Sequence, residues 1–170
     1  MKNNEHKTAM SRTKLSAPMH WLIQARKITK ANYILDYGCG KADDVMNLMS
    51  RGYEIEGFDP FWQPIEPAAD VLYDRVVCHY VLNVIESDDV VNDVISKVIA
   101  RLKPNGIAYF SVRRDAGLDG HTKRGTYQRS IKLNKDIFDV AHAKSGMYSI
   151  YEYVNTKENC LKPYHGFLKV

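Results

Sequence analysis

The feature that most constrains the fold of this chain is a short apolar run that ends in an acidic residue and two glycines. The run begins at Ile34 and ends in Asp36-Tyr37-Gly38-Cys39-Gly40. Glycines let a strand turn sharply into a helix and let the backbone come close to a ligand. About twenty residues later a second segment ends in Asp59, a spacing typical of a strand–helix–strand unit that binds a nucleotide. A carboxylate there can accept hydrogen bonds from ribose hydroxyls, so the pattern predicts a cofactor that carries a nucleoside.

Two carboxylates behind the glycines distinguish between kinds of nucleoside cofactor. A dinucleotide site has a third glycine and places its pyrophosphate at the helix N-terminus. Here Asp43 stands at that position and Asp44 follows it, and two carboxylates repel a pyrophosphate. They are compatible with S-adenosylmethionine, which has no phosphate and bears a sulfonium and an ammonium group. Asp36 favours the same cofactor, since an acidic group there can bind the amino group, although a second interpretation is that Asp36 only caps the glycine turn.

The composition is that of a globular protein with one domain. The chain has 170 residues, 45% of them hydrophobic, and no apolar run of about eighteen residues that would suggest a membrane span. Its first residues lack the apolar stretch of a secretory signal. Cys39, Cys78 and Cys160 are far apart and form no Cys-x-x-Cys pair, which predicts reduced thiols, a cytoplasmic location and no metal site. The net charge of +4 permits an anionic partner without requiring one.

Strands alternate with helices along the sequence. Periodicity and turn signals predict helices over residues 16–28, 41–51, 87–102 and 134–143, and strands over residues 33–37, 53–58, 75–80, 107–112, 147–154 and 161–170. This order predicts an α/β fold, Rossmann-like and doubly wound, with a mostly parallel sheet and an antiparallel C-terminal strand pair. Residues 1–14 are predicted to form a basic N-terminal arm, and residues 113–132 a long basic loop.

The glycine segment resembles the first motif of class I S-adenosylmethionine-dependent methyltransferases, and Asp59 resembles their acidic residue after the second strand. Residues 74–86 resemble the fourth strand of that family with the segment that follows it, and residues 102–106 resemble the turn before the fifth strand. Ala42 replaces the usual third glycine. The resemblance implies this fold, S-adenosylmethionine as cofactor and methyl transfer to an acceptor. Residues 59–74 are too short for a full third strand and its helix, so the wall around the adenine is expected to differ.

A narrower resemblance is to methyltransferases encoded beside bacterial DNA phosphorothioation genes. It is carried by residues 9–18, 35–44, 57–60, 80–86, 119–122 and 125–129. The predicted cofactor-binding residues are those of the two motifs and of the strand end beside them: Asp36, Tyr37, Gly38, Cys39, Gly40, Asp59, Pro60, His79 and Tyr80. Cys39 is expected to present its backbone. Tyr80 can lie over the sulfonium as a cation–π partner, but packing within the strand is an equal interpretation for His79 and Tyr80.

No catalytic residue is assigned by sequence, and the candidates are His79, Tyr80, His121 and Tyr127. Asn83 is expected to have a turn or capping role, because its segment lacks the motif used to methylate amino groups in DNA. Basic residues after the fifth strand suit a DNA or RNA backbone: Arg113, Arg114, Lys123, Arg124 and Arg129. A solvated loop over the pocket is the alternative. The predicted function is methyl transfer to a nucleic acid; the alternatives are a small-molecule or protein acceptor, and a cofactor-binding regulatory module without activity.

Overall fold

A six-stranded sheet forms the centre of the computed structural model, which describes residues 5–114, 119–123, 125–157 and 166–168. The α-helices are α1 (Ala17–Gln24), α2 (Asp43–Met49) and α3 (Asp88–Ala100). The strands are β1 (Tyr33–Tyr37), β2 (Glu54–Phe58), β3 (Tyr73–His79), β4 (Leu102–Arg113), β5 (Gly120–His121), β6 (Tyr127–Gln128), β7 (Asp139–Lys144) and β8 (Tyr148–Val154). Short 3₁₀ turns cover Glu5–Thr8 and Leu82–Val84.

The order of the strands is β2-β1-β3-β4-β8-β7, with β5 and β6 paired apart from this sheet. The first four strands of that order run parallel, while β8 is antiparallel to β4 and β7 is antiparallel to β8. Parallel neighbours need crossover connections, and α2 and α3 supply two of them. The predicted fold class, a mostly parallel sheet with an antiparallel C-terminal pair, is therefore confirmed.

The two faces of the sheet carry separate apolar clusters. Successive side chains of a strand point to opposite faces. Leu35 and Val76 accordingly belong to the cluster that includes the buried side of α3, whereas their neighbours Ile34 and Val77 belong to the cluster with α1 and α2. Because both faces are covered, β1 is an apolar run instead of an alternation. In the described part of the chain, no helix combines the length and the apolar character that a membrane crossing needs.

The sheet ends at β2, as the short connection after it predicts. Residues 59–72 contain an isolated bridge between Asp59 and Gln63 but no strand that extends the sheet beyond β2. The edge strand carries Glu54 and Glu56, which are exposed charged residues of the kind that discourage edge-to-edge pairing. The expectation of a shortened third-strand region is confirmed.

The helix predicted over residues 134–143 is wrong. Residues 139–144 form β7, which pairs with β8 through a tight turn in which Gly146 has a φ of +68°. Local preference favoured a helix, but hydrogen bonding to the aromatic and β-branched strand β8 outweighs it. The strand that pairs with β8 at the edge of the sheet is β7, whereas the prediction for residues 161–170 falls mostly outside the described chain. Of that segment, only residues 166–168 lie within the described chain, and Leu168 there bridges to Leu133.

Candidate functional site

The carboxyl ends of the parallel strands meet at one edge of the sheet, and four of the predicted site residues line one pocket there: Asp36, Gly38, Cys39 and His79. Ligands of open α/β sheets bind in the crevice outside this edge. A pocket at the edge is lined by Met10, Arg12, Asp36, Gly38, Cys39, Asp43, Asp44 and His79. It therefore combines the glycine turn after β1, the start of α2 and the end of β3 with residues from the N-terminal arm.

The glycine turn is shaped by backbone constraints that a side chain would violate. Gly38 has a φ of +82°, and a Cβ built on it would lie 2.2 Å from Cγ2 of Val81. The N–H groups of Gly38 and Cys39 both donate to the carbonyl of Phe58, at 2.7 and 3.1 Å. The turn is consequently fastened to the end of β2, and its shape is set before any ligand arrives.

Asp59 directly follows β2, and its carboxylate binds the backbone of the glycine turn. Its Oδ2 accepts a hydrogen bond from the N–H of Gly40 at 3.1 Å. Its Oδ1 accepts from the N–H groups of Phe61 and Trp62, both at 2.9 Å. Pro60 between them is exposed. Each carboxylate oxygen has more than one lone pair, so these bonds leave Asp59 able to accept from ribose hydroxyls too.

Asp36 is a buried carboxylate that accepts no hydrogen bond within the described chain. Only 4% of its surface is exposed. Burial raises its pKa well above the usual range, and the carboxylates of Asp44 and Asp59 raise it further, while Arg12 acts in the opposite direction. A cation in the pocket would relieve this unfavourable charge. The geometry gives no support to a capping role, because Asp36 does not bind the backbone of the turn.

His79 is the last residue of β3 beside the pocket, and Tyr80 follows it. Nδ1 of His79 lies 2.8 Å from Oγ of Ser111, and burial lowers the pKa of the imidazole to about 4. Tyr80 adopts a left-handed backbone with a φ of +61°, a strained conformation for a bulky residue of the kind that gathers at functional sites. Its ring meets that of Tyr148 edge-on at 6.2 Å between centroids. Both side chains are half-buried, and His79 lines the pocket.

Two predicted contact residues offer little beyond their backbone. The ring of Tyr37 is buried in the core, 5.1 Å from the ring of Phe58. The thiol of Cys39 is half-buried, and burial together with the carboxylates of Asp36 and Asp59 raises its pKa. It is a neutral thiol and not a reactive thiolate.

The N-terminal arm supplies site residues that the sequence did not indicate. The N–H of Arg12 donates to Oδ2 of Asp43 at 2.6 Å, and the N–H of Ser16 donates to Oδ1 of Asp44 at 2.8 Å. These bonds hold the arm across the glycine turn and place Met10 and Arg12 in the pocket wall. In the sequence, Asp43 and Asp44 indicated a cofactor without a pyrophosphate. In the structure, the same two carboxylates also anchor the arm.

The basic segment after β4 is partly built into the fold. Nη1 of Arg129 pairs with Asp88 at 2.6 Å, and Nη1 of Arg113 donates to Gln128 at 3.1 Å. Arg114 and Lys123 are exposed, and Arg124 lies outside the described residues. Within residues 113–132, β5 and β6 form a small antiparallel pair in which the rings of His121 and Tyr127 meet at 5.4 Å. Neither ring belongs to the pocket lining, so the structure does not bring them together with His79.

Asn83 ties this segment to the sheet. Its Nδ2 donates to the carbonyls of Arg129 and Arg113, at 2.6 and 3.3 Å, and its Oδ1 accepts from the N–H of Arg113 at 2.8 Å. The residue is 1% exposed, and its polar atoms are occupied by backbone partners. These bonds join distant segments, so Asn83 is a structural cross-link and not the turn or capping residue that was expected. Among the residues with described positions, no group of three or more His, Cys, Asp or Glu side chains is arranged to hold a metal ion.

Comparisons with known proteins show what the chain is similar to. The family model described as "Methyltransferase domain" matches residues 10–141, a span that includes Met10, Arg12 and every other pocket residue. No curated protein matches the chain. Solved structures that resemble it share the fold at low sequence identity.

One of these is 1,6-didemethyltoxoflavin-N1-methyltransferase from Burkholderia thailandensis, solved with 1,6-didemethyltoxoflavin and S-adenosylhomocysteine. It is 16% identical with a TM-score of 0.59, over 83% of this chain and 78% of that one. Magnesium protoporphyrin IX methyltransferase from Synechocystis PCC 6803, solved with S-adenosylmethionine, is 16% identical with a TM-score of 0.50, over 82% and 77%. The N-methyltransferase NodS from Bradyrhizobium japonicum WM9 is 12% identical with a TM-score of 0.50, over 91% and 89%.

Proposed function

The chain belongs to the class I S-adenosylmethionine-dependent methyltransferases, and on that basis we propose that it transfers the methyl group to a nucleic acid. Its cofactor is S-adenosylmethionine. The methyl group of this cofactor sits on a cationic sulfur, and an acceptor atom displaces it in line. Holding the acceptor in position supplies most of the rate, and a general base is needed only where the acceptor must first lose a proton.

The pocket residues fit the charges of this cofactor. Asp36 is a buried carboxylate without a hydrogen-bond partner in the described chain, which suits a cationic group. Gly38 lines the pocket, and its missing Cβ lets the turn pack against Val81, which fixes the shape of the pocket wall. We assign Asp59 to the ribose and Tyr80 to the sulfonium. The proposed cofactor-binding set is Asp36, Tyr37, Gly38, Cys39, Gly40, Asp59, Pro60, His79 and Tyr80, with Tyr37 contributing backbone only.

The observation that carries the nucleic-acid proposal is the position of the small β5–β6 pair. Strand β4 ends at Arg113 on the same sheet edge as the pocket, so the segment that follows starts beside the cofactor site. It exposes Arg114 and Lys123 and carries the ring pair of His121 and Tyr127. Exposed cations next to aromatic rings suit a single strand, since phosphates meet the charges and bases stack on the rings. The resemblance to methyltransferases encoded beside DNA phosphorothioation genes supports the same class of acceptor.

Labelled methyl transfer tests this proposal. The protein is incubated with S-adenosylmethionine labelled in the methyl group and with DNA, RNA, total protein or a metabolite extract. Label in DNA or RNA is the expected result. Label confined to protein or to metabolites would overturn the nucleic-acid proposal and leave the methyltransferase assignment intact.

The surface that carries Arg114 and Lys123 is tested by measuring the binding of a fluorescent single-stranded nucleic acid. Fluorescence anisotropy gives the affinity at several salt concentrations. Replacing Arg114 and Lys123 by glutamine should reduce the slope of log affinity against log salt by about 1.4, because each lost phosphate contact on a single strand contributes about 0.7. The matched control replaces Arg51 and Lys97, two exposed cations next to the C-terminal ends of α2 and α3. An equal effect of both double variants would show that only net charge matters.

A small-molecule acceptor is the second candidate. Two structures of the same fold are of enzymes named for heteroaromatic compounds, magnesium protoporphyrin IX and 1,6-didemethyltoxoflavin. In this chain Phe61 is 56% exposed and packs edge-on against Trp62, close to the arm that covers the glycine turn. Label in the metabolite fraction would favour this candidate.

We also propose a cytoplasmic location, in keeping with cysteines that are free where the structure describes them.

A further inference from the structure

We infer that His79 is a fixed hydrogen-bond donor to the carboxylate at the amino-acid end of S-adenosylmethionine, and that Ser111 sets the ring tautomer that makes it a donor. This inference rests on the proposed cofactor site. It assigns a direction to one polar contact and gives Ser111, which the sequence did not single out, the part of a positioning residue.

The pair is created by strand register. His79 on β3 lies opposite Ser111 on β4, where the two strands run parallel. Ser111 is completely buried, and its Oγ lies 2.8 Å from Nδ1 of His79, with no other hydrogen-bond partner in the described chain. A buried hydroxyl pairs with the polar group within its reach, which for Ser111 is Nδ1 of His79.

That restriction decides which nitrogen carries the proton. Burial lowers the pKa of His79 to about 4, so at neutral pH the ring is uncharged and holds one N–H. If Nδ1 held the proton, the Ser111 hydroxyl would accept it, and both the hydroxyl hydrogen and the Nε2 lone pair would be left unsatisfied. If the hydroxyl donates to Nδ1, the hydroxyl oxygen keeps its lone pairs free, and the unpaired donor is the Nε2–H of a residue that lines the pocket. The second arrangement is favoured, because its unpaired donor belongs to a pocket residue, where a ligand can accept from it, whereas the first leaves the hydroxyl hydrogen unpaired inside the sheet.

The remaining Nε2–H of His79 is a hydrogen-bond donor without an acceptor among the described residues. Nε2 is closed off from solvent and has no partner in the part of the chain that the structure describes. His79 lines the pocket, and the charged groups that line it beside His79 are Arg12, Asp36, Asp43 and Asp44. Asp43 and Asp44 already accept from the arm.

The charges of the cofactor complete the assignment. S-adenosylmethionine carries two cationic groups and one anionic group, its carboxylate. Asp36 is placed to attract a cationic group, which leaves the Nε2–H of His79 and the guanidinium of Arg12 as the groups in the pocket that match the carboxylate. Because it is uncharged, the Nε2–H of His79 can bind the carboxylate without repelling the neighbouring ammonium group. Hydrogen bonds to charged groups are the stronger kind.

Two substitutions at His79 separate the two ring nitrogens. In His79→Gln the amide nitrogen can reach the place of Nε2, whereas in His79→Asn it reaches only the place of Nδ1. Calorimetry compares S-adenosylhomocysteine with 5′-methylthioadenosine, which lacks the amino-acid end. We expect His79→Asn to weaken S-adenosylhomocysteine binding by about ten- to a hundredfold and to leave methylthioadenosine within about twofold, while His79→Gln keeps most of the affinity.

Equal weakening of both ligands, or a His79→Gln variant as weak as His79→Asn, would overturn the inference. Wild-type protein that binds neither ligand would instead contradict the cofactor site itself. Nitrogen-15 chemical shifts of His79 give a readout that needs no variant: the proton is expected on Nε2, and a proton on Nδ1 would refute the assignment. In Ser111→Ala we expect the two tautomers to mix and S-adenosylhomocysteine binding to weaken, without an effect on methylthioadenosine; an unchanged tautomer would show that Ser111 does not position the ring.

Discussion

The backbone N–H of Ser16 donates to Oδ1 of Asp44 at 2.8 Å, joining residues that are 28 positions apart in the chain. Ser16 also caps α1, since its Oγ accepts from the N–H of Met19 at 3.4 Å. One turn therefore begins a helix and binds the first turn of α2. Together with the bond from Arg12 to Asp43, it holds the arm over the glycine turn, where Ala9 approaches Gly40 closely enough to crowd an added Cβ at 3.2 Å.

Asp44→Ala should release the arm and destabilise the protein. The bond to Ser16 is buried, so its removal leaves an N–H without a partner, which costs about 1–3 kcal/mol. We expect a lower free energy of unfolding in urea and faster hydrogen exchange at residues 9–16. Asp43→Ala is the matched control, because its bond to Arg12 is exposed and water can replace it. Equal effects of the two variants would contradict the burial argument.

Asp36→Asn should make the protein more stable and the cofactor site weaker. In the folded protein the pKa of Asp36 is raised by burial and by neighbouring carboxylates, so ionising this group opposes folding. A raised pKa means that its contribution to stability is lost as pH rises through the folded pKa. Removing the charge should therefore raise the melting temperature at neutral pH, and the gain should vanish in acid, below the ordinary pKa of an aspartate.

The same substitution tests the charge of the ligand. A bound cation favours ionised Asp36, so cofactor binding should release a proton, and wild-type affinity should increase as pH rises toward the raised pKa. Calorimetry in buffers of different ionisation enthalpy measures that proton. In Asp36→Asn the release and the pH dependence should both disappear; their persistence would assign them to another group.

Asp59→Ala should weaken S-adenosylmethionine binding by about one to a few kcal/mol, because ribose hydroxyls lose their acceptor. The structure adds a second effect: the N–H groups of Gly40, Phe61 and Trp62 lose theirs. We therefore expect a loss of stability in Asp59→Ala as well, measured by thermal unfolding without ligand. Asp59→Asn, which keeps one acceptor oxygen, should recover part of the stability. Unchanged affinity in Asp59→Ala would mean that this carboxylate does not bind the cofactor.

Features fixed by local sequence could be predicted, and features fixed by distant contacts could not. Strand β1 and the turn at Gly38 follow from a buried apolar run and from backbone angles that favour glycine, both of which are visible within a few residues. Residues 139–144 form a strand only because β8 lies beside them, so their own helix preference was misleading. A propensity is a weak signal when a neighbouring strand supplies the hydrogen bonds.

The residues of the site also fall into two groups, those that local sequence predicts and those that depend on distant contacts. Asp36, Gly38 and Asp59 follow a motif with fixed spacing. The anchoring of Arg12 and Ser16 depends on how the arm folds back on α2, and the pairing of His79 with Ser111 depends on the register of two strands separated by a whole helix. Neither relation leaves a pattern in a single sequence, because partners 28, 31 or 32 positions apart have no periodic relation to each other.

Gly38→Ala should be far more damaging than a glycine substitution with the same backbone angle elsewhere. Gly38 and Gly52 have φ values of +82° and +79°, so alanine at either costs about 1–2 kcal/mol of backbone strain. At Gly52 a Cβ would meet only Nζ of Lys30, at 3.7 Å, whereas at Gly38 it would overlap Cγ2 of Val81 at 2.2 Å. We expect Gly38→Ala to lose about 1–3 kcal/mol more in urea unfolding, together with its cofactor affinity. Adding Val81→Ala should recover part of the overlap and none of the strain, and a double variant no more stable than Gly38→Ala would contradict this account of the turn.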